Sequence, residues 1–298
     1  MRTTTSFTAL TALLLFSVPS SAQILSRTVF TDSDHDISGI VTLHHSGDRS
    51  VFLTVHDSKL PWQDRLGLIT IEGDSVIRYH SVEWPPDFPT LEDIESICRF
   101  PVDSTFVLMT SRGKGLRFRI NEDSTGIEGI AEIRLPIHSK KHLQIEGIAF
   151  RQIHNRLYAF WGDRGKNHRP ATVWWGPVDA GTLEIQMEDS VRITAPWPER
   201  KEVRHLSEMR FDSAGALWVT AARDGGNHGP FDSSLYLAGF FRLSDQQRLS
   251  FIPERPPVPL LRFPNHKVEG FDFVPGQPGG LVFATDDEKL GSILFTNW

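Results

Sequence analysis

Short apolar runs of five to seven residues recur along the chain. Each is rich in Val, Ile, Leu and Phe and bounded by Gly, Asp, Asn or Pro, which is the pattern of β-strands separated by turns. The runs fall into groups of four. Ile37–Leu43, Val51–Val55, Leu66–Ile71 and Val76–Val82 form the first group, and the Pro-rich stretch Trp84–Thr90 sets it apart from the second. The second runs from Ile94 to Leu135, the third from Ile145 to Thr194, and the fourth from Leu206 to Ile252. The fifth is truncated, with Val268–Val274, Leu281–Ala284 and Ser292–Thr296 before the chain stops. No amphipathic helix of ten or more residues is predicted beyond the first 22 residues.

Each group opens on the same phrase, a polar residue between aliphatic ones: Ile37-Ser-Gly-Ile40, Ile94-Glu-Ser-Ile97, Ile145-Glu-Gly-Ile148, Leu206-Ser-Glu-Met209 and Val268-Glu-Gly-Phe271. Ser38, Glu95, Glu146, Ser207 and Glu269 are 57, 51, 61 and 62 residues apart. Units of this length, each of about four antiparallel strands, predict an all-β, five-bladed β-propeller. Six blades are the alternative, if Leu206–Pro264 holds two. The isolated strand Ile24–Phe30 is the expected donor of the fifth blade's missing strand, which would close the ring and cover a bare sheet edge.

Residues 1–22 read as a secretory signal peptide: Arg2, an apolar stretch over Phe7–Val18, then Ser20-Ser21-Ala22 at the expected cleavage site. A secreted or periplasmic protein with one propeller domain over residues 23–298 follows, monomeric and without a membrane span. Its single cysteine, Cys98, allows no internal disulfide. The formal charge of −6 becomes −7 without Arg2, which argues against nucleic acid as a partner.

In a propeller the first strand of each blade lines the central channel. The five repeated residues should therefore form a ring of three carboxylates and two hydroxyls, which repel unless a cation sits among them. Hard oxygen donors without His or Cys select Ca2+ over zinc. Hydrogen bonding between blades, with no metal, is the competing role. The loops on the same face carry His56, Asp57 and Lys59; Arg112 and Lys114; Asp163, Arg164 and Lys166; Arg223; and Asp286. Linkers add Lys140, Lys141, His142, Arg204, His205, His266 and Lys267. A basic rim over an acidic floor predicts an anionic, phosphorylated small molecule clamped by Arg112, Lys114, Arg164, Lys166 and Arg223. Asp57, Asp163 or Asp286 would activate water. No Gly-x-Ser-x-Gly, His-Glu-x-x-His or phosphate-loop motif offers other chemistry.

The Ser-Glu-Glu-Ser-Glu order of the five phrases resembles the calcium-activated nucleotidase (apyrase) family of secreted five-bladed propellers, and Lys267-Val-Glu-Gly-Phe-Asp-Phe-Val274 is the closest phrase. The Glu-Gly-Ile phrases are also similar to exported phytase-like propellers. The resemblance implies a calcium-dependent phosphohydrolase with Ser38, Glu95, Glu146, Ser207 and Glu269 as metal ligands. The family's paired-Arg motif is absent, and Gly162–Arg169 replaces its long third-blade loop. The alternatives are a non-catalytic binding propeller with structural calcium and a lactonase-like hydrolase.

Overall fold

A computed structural model describes residues 24–31, 35–60, 62–137, 143–198 and 201–298. The expected signal peptide and the linker residues Lys140, Lys141 and His142 lie outside the described residues. Five small antiparallel sheets stand in a ring, giving a five-bladed β-propeller. Strand β1 (Leu25–Phe30) comes first. Blade 1 is β2 (Ile37–Ser46), β3 (Arg49–His56), β4 (Leu66–Glu72) and β5 (Ser75–Ser81). Blade 2 is β6 (Ile94–Arg99), β7 (Phe106–Thr110), β8 (Lys114–Ile120) and β9 (Ile127–Arg134). Blade 3 is β10 (Ile145–Ile153), β11 (Arg156–Asp163), β12 (Ala171–Pro177) and β13 (Asp189–Ile193). Blade 4 has β14 (Val203–Phe211), β15 (Ala216–Asp224), β16 (Phe231–Leu243), β17 (Leu249–Pro253) and β18 (Pro259–Pro264); blade 5 has β19 (Val268–Phe273), β20 (Leu281–Thr285) and β21 (Ser292–Thr296). Among the described residues the helical structure is one 3₁₀ turn, Glu288–Leu290, and no helix is long and apolar enough to cross a membrane.

β1 pairs antiparallel with β21, Leu25 opposite Thr296, so the N-terminal strand completes blade 5 and closes the ring as expected. The long stretch Leu206–Pro264 is one blade, not two. Its extra length arises because the 13-residue β16 carries two neighbours on the same edge: β18 against its first half and β17 against its second.

Five apolar clusters hold the ring, one at each interface between neighbouring blades. Val41, Leu53 and Leu68 of blade 1 meet Ile97, Leu108 and Phe118 of blade 2, and Ile40, Phe52 and Ile69 meet Val282, Ala284 and Leu294 of blade 5. Each sheet is thus covered on both faces, which is why the inner strands read as near-continuous apolar runs rather than as alternation.

The repeated polar residue has a specific backbone role. The ladder between first and second strands slips at that position in every blade. Ile37 faces His56 and Gly39 faces Val55, which leaves Ser38 as the extra residue of a β-bulge. Glu95, Glu146 and Glu269 are skipped in the same way, and in blade 4 the slip spans His205–Ser207 opposite Ala221. A bulge re-aims the side chain of its extra residue, and at Glu95 and Glu269 that side chain lines the cavity at the axis. A glycine follows in three blades. A Cβ at Gly270 would lie 3.0 Å from the backbone nitrogen of Ile40, so the bare backbone lets inner strands of blades 5 and 1 approach each other.

One layer further along the inner strands, the axis is filled by an ion pair. Arg210 Nη1 lies 2.7 Å from Glu208 Oε1, both buried. Arg210 also donates to the carbonyls of Met209 (2.8 Å), Ile40 (3.3 Å) and Ile97. Ser96 Oγ donates to Glu208 Oε2 at 2.9 Å while accepting from the Ile148 amide at 3.1 Å. Asp272 accepts from the Thr42 amide at 2.7 Å and lies 3.9 Å from Arg210 Nε. Inner strands of all five blades thereby meet in one network. Arg210→Met would strand the Glu208 carboxylate and three carbonyls, and should lower stability by about 3–5 kcal/mol in urea denaturation, while the double change with Glu208→Leu should recover a large part of that loss.

Candidate functional site

The first strand's entry and the second strand's exit abut in every blade: Ile94 opposite Thr110, Ile145 opposite Asp163, Val268 opposite Thr285. The loops after the second strands therefore share one face with the bulges. There the axis opens into a funnel of about 530 Å³.

Its lining is almost wholly charged. Carboxylates come from Asp36, Asp57, Asp93, Glu95, Glu269, Asp286 and Glu288, cations from Lys59, Arg164, Arg204 and Lys267; Leu60 is the single apolar residue among the described lining residues. The cations are placed between carboxylates. Arg204 Nη1 lies 2.7 Å from Glu269 and its Nη2 pairs with Asp224. Lys267, itself buried, has its ammonium 3.4 Å from Glu269, 2.6 Å from Asp286 and in contact with Glu288. Arg164 Nη1 reaches Glu146 at 3.3 Å, and Lys59 reaches Asp57 at 2.8 Å.

Two groups of acids lack enough positive charge. In each of Asp57/Asp93/Glu95 and Asp36/Asp286/Glu288, one oxygen per residue lies within 4.8 Å of the others. Burial first, then the charges of Glu146, Glu269, Asp57 and Asp93, hold Glu95 well above the usual carboxylate range. Burial also pushes Asp36 up to about 8, reinforced by Asp286 and Glu288. Glu269 rises to about 8 by burial even though Lys267 and Arg204 oppose the shift. Burial works the same way on Asp224, but Arg204 and the Gly226 amide outweigh it and bring that carboxyl below its ordinary value.

Of the residues expected from sequence, Asp57, Asp286, Arg164, Glu95 and Glu269 line the funnel, and Glu146 is tied to it through Arg164. Ser207 Oγ donates to the Val268 carbonyl at 2.8 Å and the buried Ser38 Oγ has no hydrogen-bond partner. The others lie elsewhere. Asp163 is fully buried, accepting from the amides of Gln144 and Gly165 and paired with Arg169, and so fixes its own loop. Arg223 is paired with Glu202 and Asp232, Lys114 borders a separate small cavity, and Arg112 and Lys166 are exposed away from the lining. His56 is buried, its ring accepting or donating between Thr54 Oγ1 and the Asp36 carbonyl, and burial lowers it to about 4.

Asp36, Asp93 and Glu288 were not anticipated, and two of them had a signal. Asp36, Asp93, Gln144 and Lys267 each stand two residues before a bulge residue, and all four line the funnel. On a strand, residues two apart share a face, so the five-fold repeat contains a second ring upstream of the first.

With that geometry in view, known folds give a context. No protein-family model matches the sequence, and no curated protein matches it. Among solved structures, the catalytic domain of a GH62 α-L-arabinofuranosidase from Coprinopsis cinerea is 11% identical, with 94% of this chain and 98% of that chain covered and a TM-score of 0.51. The α-L-arabinofuranosidase of Podospora anserina, solved with cellotriose, is 10% identical over 93% and 98% with a TM-score of 0.52. A thermostable family-43 glycoside hydrolase is 9% identical over 90% and 91% with a TM-score of 0.50. The likeness is to glycoside hydrolase propellers. At these identities it is a likeness of fold.

This corrects the resemblance to calcium-activated nucleotidases and phytase-like propellers, and with it the phosphohydrolase reading. The funnel itself gives the physical reason. Arg112, Lys114, Lys166 and Arg223 are not among its described lining residues, and Lys59, Arg164, Arg204 and Lys267 are each already paired with a carboxylate, so the basic clamp expected for a phosphate is not assembled there. The phosphorylated partner falls for the same reason. The fold likeness favours neither the phosphohydrolase reading nor the non-catalytic binding propeller.

Asp36 and Glu269 hold their protons to about 8 in the folded chain, against ordinary values of 3.8 and 4.5. The folded state therefore binds more protons than the unfolded one between those limits, and stability must fall as pH rises through that window. Thermal melts from pH 5 to pH 8.5 should show Tm declining; a rising Tm would contradict the burial of these acids.

Proposed function

We propose that the axial funnel is the active site of a hydrolase acting on carbohydrate, with cleavage of a glycosidic bond by general acid–base catalysis. The observation that carries this reading is the alternation of carboxylates and cations in one open cavity. A neutral polyol is the ligand that can donate to the carboxylates and accept from Arg164, Arg204 and Lys267 at once, without bringing net charge. The fold likeness to glycoside hydrolase propellers supports it.

Glycosidic cleavage needs one carboxyl that still carries its proton near neutral pH and another that is held ready as a base. We assign the first role to Glu95, whose proton is retained by burial and by its acidic neighbours. It would pass that proton to the departing glycosidic oxygen. Asp286, fixed by the Lys267 ammonium at 2.6 Å and on the opposite acidic group, would accept a proton from the attacking water. Asp57 and Asp93 act on Glu95 by charge, and Arg204 and Lys267 keep Glu269 in place.

Calcium, expected from the repeated oxygen donors, belongs to this proposal as an alternative occupant. Glu146 and Glu269 already face cations, so the oxygens that fit a hard divalent ion are those of Asp57, Asp93 and Glu95, with the unpartnered Ser38 hydroxyl on the neighbouring bulge. When bound, the ion would neutralise that group. It and the Glu95 proton compete for the same oxygens. The signal peptide expected over residues 1–22 would place such a hydrolase outside the cytoplasm, where polymeric carbohydrate is met.

Assay on a panel of arabinosyl, xylosyl and galactosyl glycosides tests the reading. Hydrolysis should be seen, and Glu95→Gln should lower kcat by about 10²–10⁴-fold while the protein stays folded. No turnover of any glycoside, or full activity in Glu95→Gln, would defeat it. Calcium titration should raise Tm and release protons at a pH where Glu95 still carries its own, with both effects lost in Asp93→Asn; an unchanged melt at millimolar calcium would remove the ion from the proposal.

A further inference from the structure

Leu60, the one apolar residue among the funnel's described lining residues, lies near a second exposed hydrophobic side chain. Leu60 is 43% exposed and Trp62 is 77% exposed, more than any other large hydrophobic residue among those described. Leu60 and Gln63 both line the funnel, so Trp62 stands between two rim positions. A tryptophan held in water forfeits the burial that its large apolar surface would give in a core.

The described residues around Trp62 are tied to one another by hydrogen bonds. Gln63 Oε1 accepts from the amides of Lys59 (3.0 Å) and Leu60 (2.9 Å), and the Gln63 amide returns to the Leu60 carbonyl at 3.2 Å. Arg65, buried, donates to the carbonyls of Gln63 at 3.1 Å and Leu60 at 3.4 Å, and its Nε reaches the Leu91 carbonyl at 2.8 Å in the linker before blade 2. The exposed indole is therefore flanked by hydrogen-bonded residues, which reduces the ordering cost of binding.

We infer that Trp62 is a stacking platform for a sugar ring lying outside the axial funnel, so that the protein selects an oligosaccharide over a single glycosyl unit. A sugar ring has an apolar face of C–H groups and a periphery of hydroxyls. The charged funnel serves the hydroxyls but offers no face for the C–H side; the rim loop offers one. The inference rests on the carbohydrate reading of the funnel and adds to it a second, outer subsite and a length preference.

Xylohexaose, arabinohexaose and β-1,3-galactotriose are the probes, compared with the corresponding nitrophenyl monoglycosides. Trp62→Ala should raise KM and lower kcat/KM about tenfold on the preferred oligosaccharide, leave the monoglycoside unchanged, and leave Tm unchanged; Trp62→Phe should restore part of the loss. Oligosaccharide should quench tryptophan fluorescence in the wild type and not in Trp62→Ala. Equal kcat/KM for wild type and Trp62→Ala would overturn the platform while leaving the hydrolase reading intact. Binding with Trp62-dependent quenching but no cleavage would defeat the hydrolase and keep the platform. Binding of none of the three sugars, or a dimer in sedimentation that Trp62→Ala abolishes, would overturn it.

Discussion

Five inner strands converge on one axis, and the β-bulge at the start of each decides what that axis contains. A regular ladder would send alternate residues toward the neighbouring blades, where the apolar clusters lie. The bulge inserts one unpaired residue, and at Glu95 and Glu269 it turns the side chain into the axial cavity. Because the insertion falls on Ser38, Glu95, Glu146, Ser207 and Glu269, polar groups are concentrated where solvent is scarce and must find charge partners within the protein.

Two solutions to that demand are stacked along the channel. In the deeper layer, Arg210 and Glu208 neutralise each other and spend their remaining hydrogen-bonding capacity on backbone groups of the neighbouring strands. That layer is closed and structural. In the outer layer Arg164, Arg204 and Lys267 satisfy Glu146 and Glu269 but leave Asp36, Asp93 and Glu95 among like charges. Burial and like charge raise the proton affinity of Asp36 and Glu95, and that imbalance costs stability.

The correction away from phosphate turns on where loop cations go. In the sequence, Arg112, Lys114, Lys166 and Arg223 are indistinguishable from Arg164, since all follow a second strand. Their destinations differ because each loop has its own internal partners: Arg223 is drawn to Glu202 and Asp232, and Lys114 already starts β8. Arg204 and Lys267, which do reach the axis, come from the opposite side of the ladder, just before the bulges.

The blade count, the strand donated by the N-terminus and the position of the bulge were legible in the sequence, because they depend on a repeat: one polar residue at blade spacing, with a spare strand at the N-terminus and a unit one strand short at the C-terminus. Asp36 and Asp93 were legible in principle, being two residues upstream in the same repeat. The forked blade 4 was not, since β17 and β18 look like parts of separate units until β16 proves long enough to pair with both. Nor could sequence tell which carboxylates would be paired and which left together. Ion pairing depends on distances of a few ångströms between blades far apart in the chain, and only closing the ring fixes them.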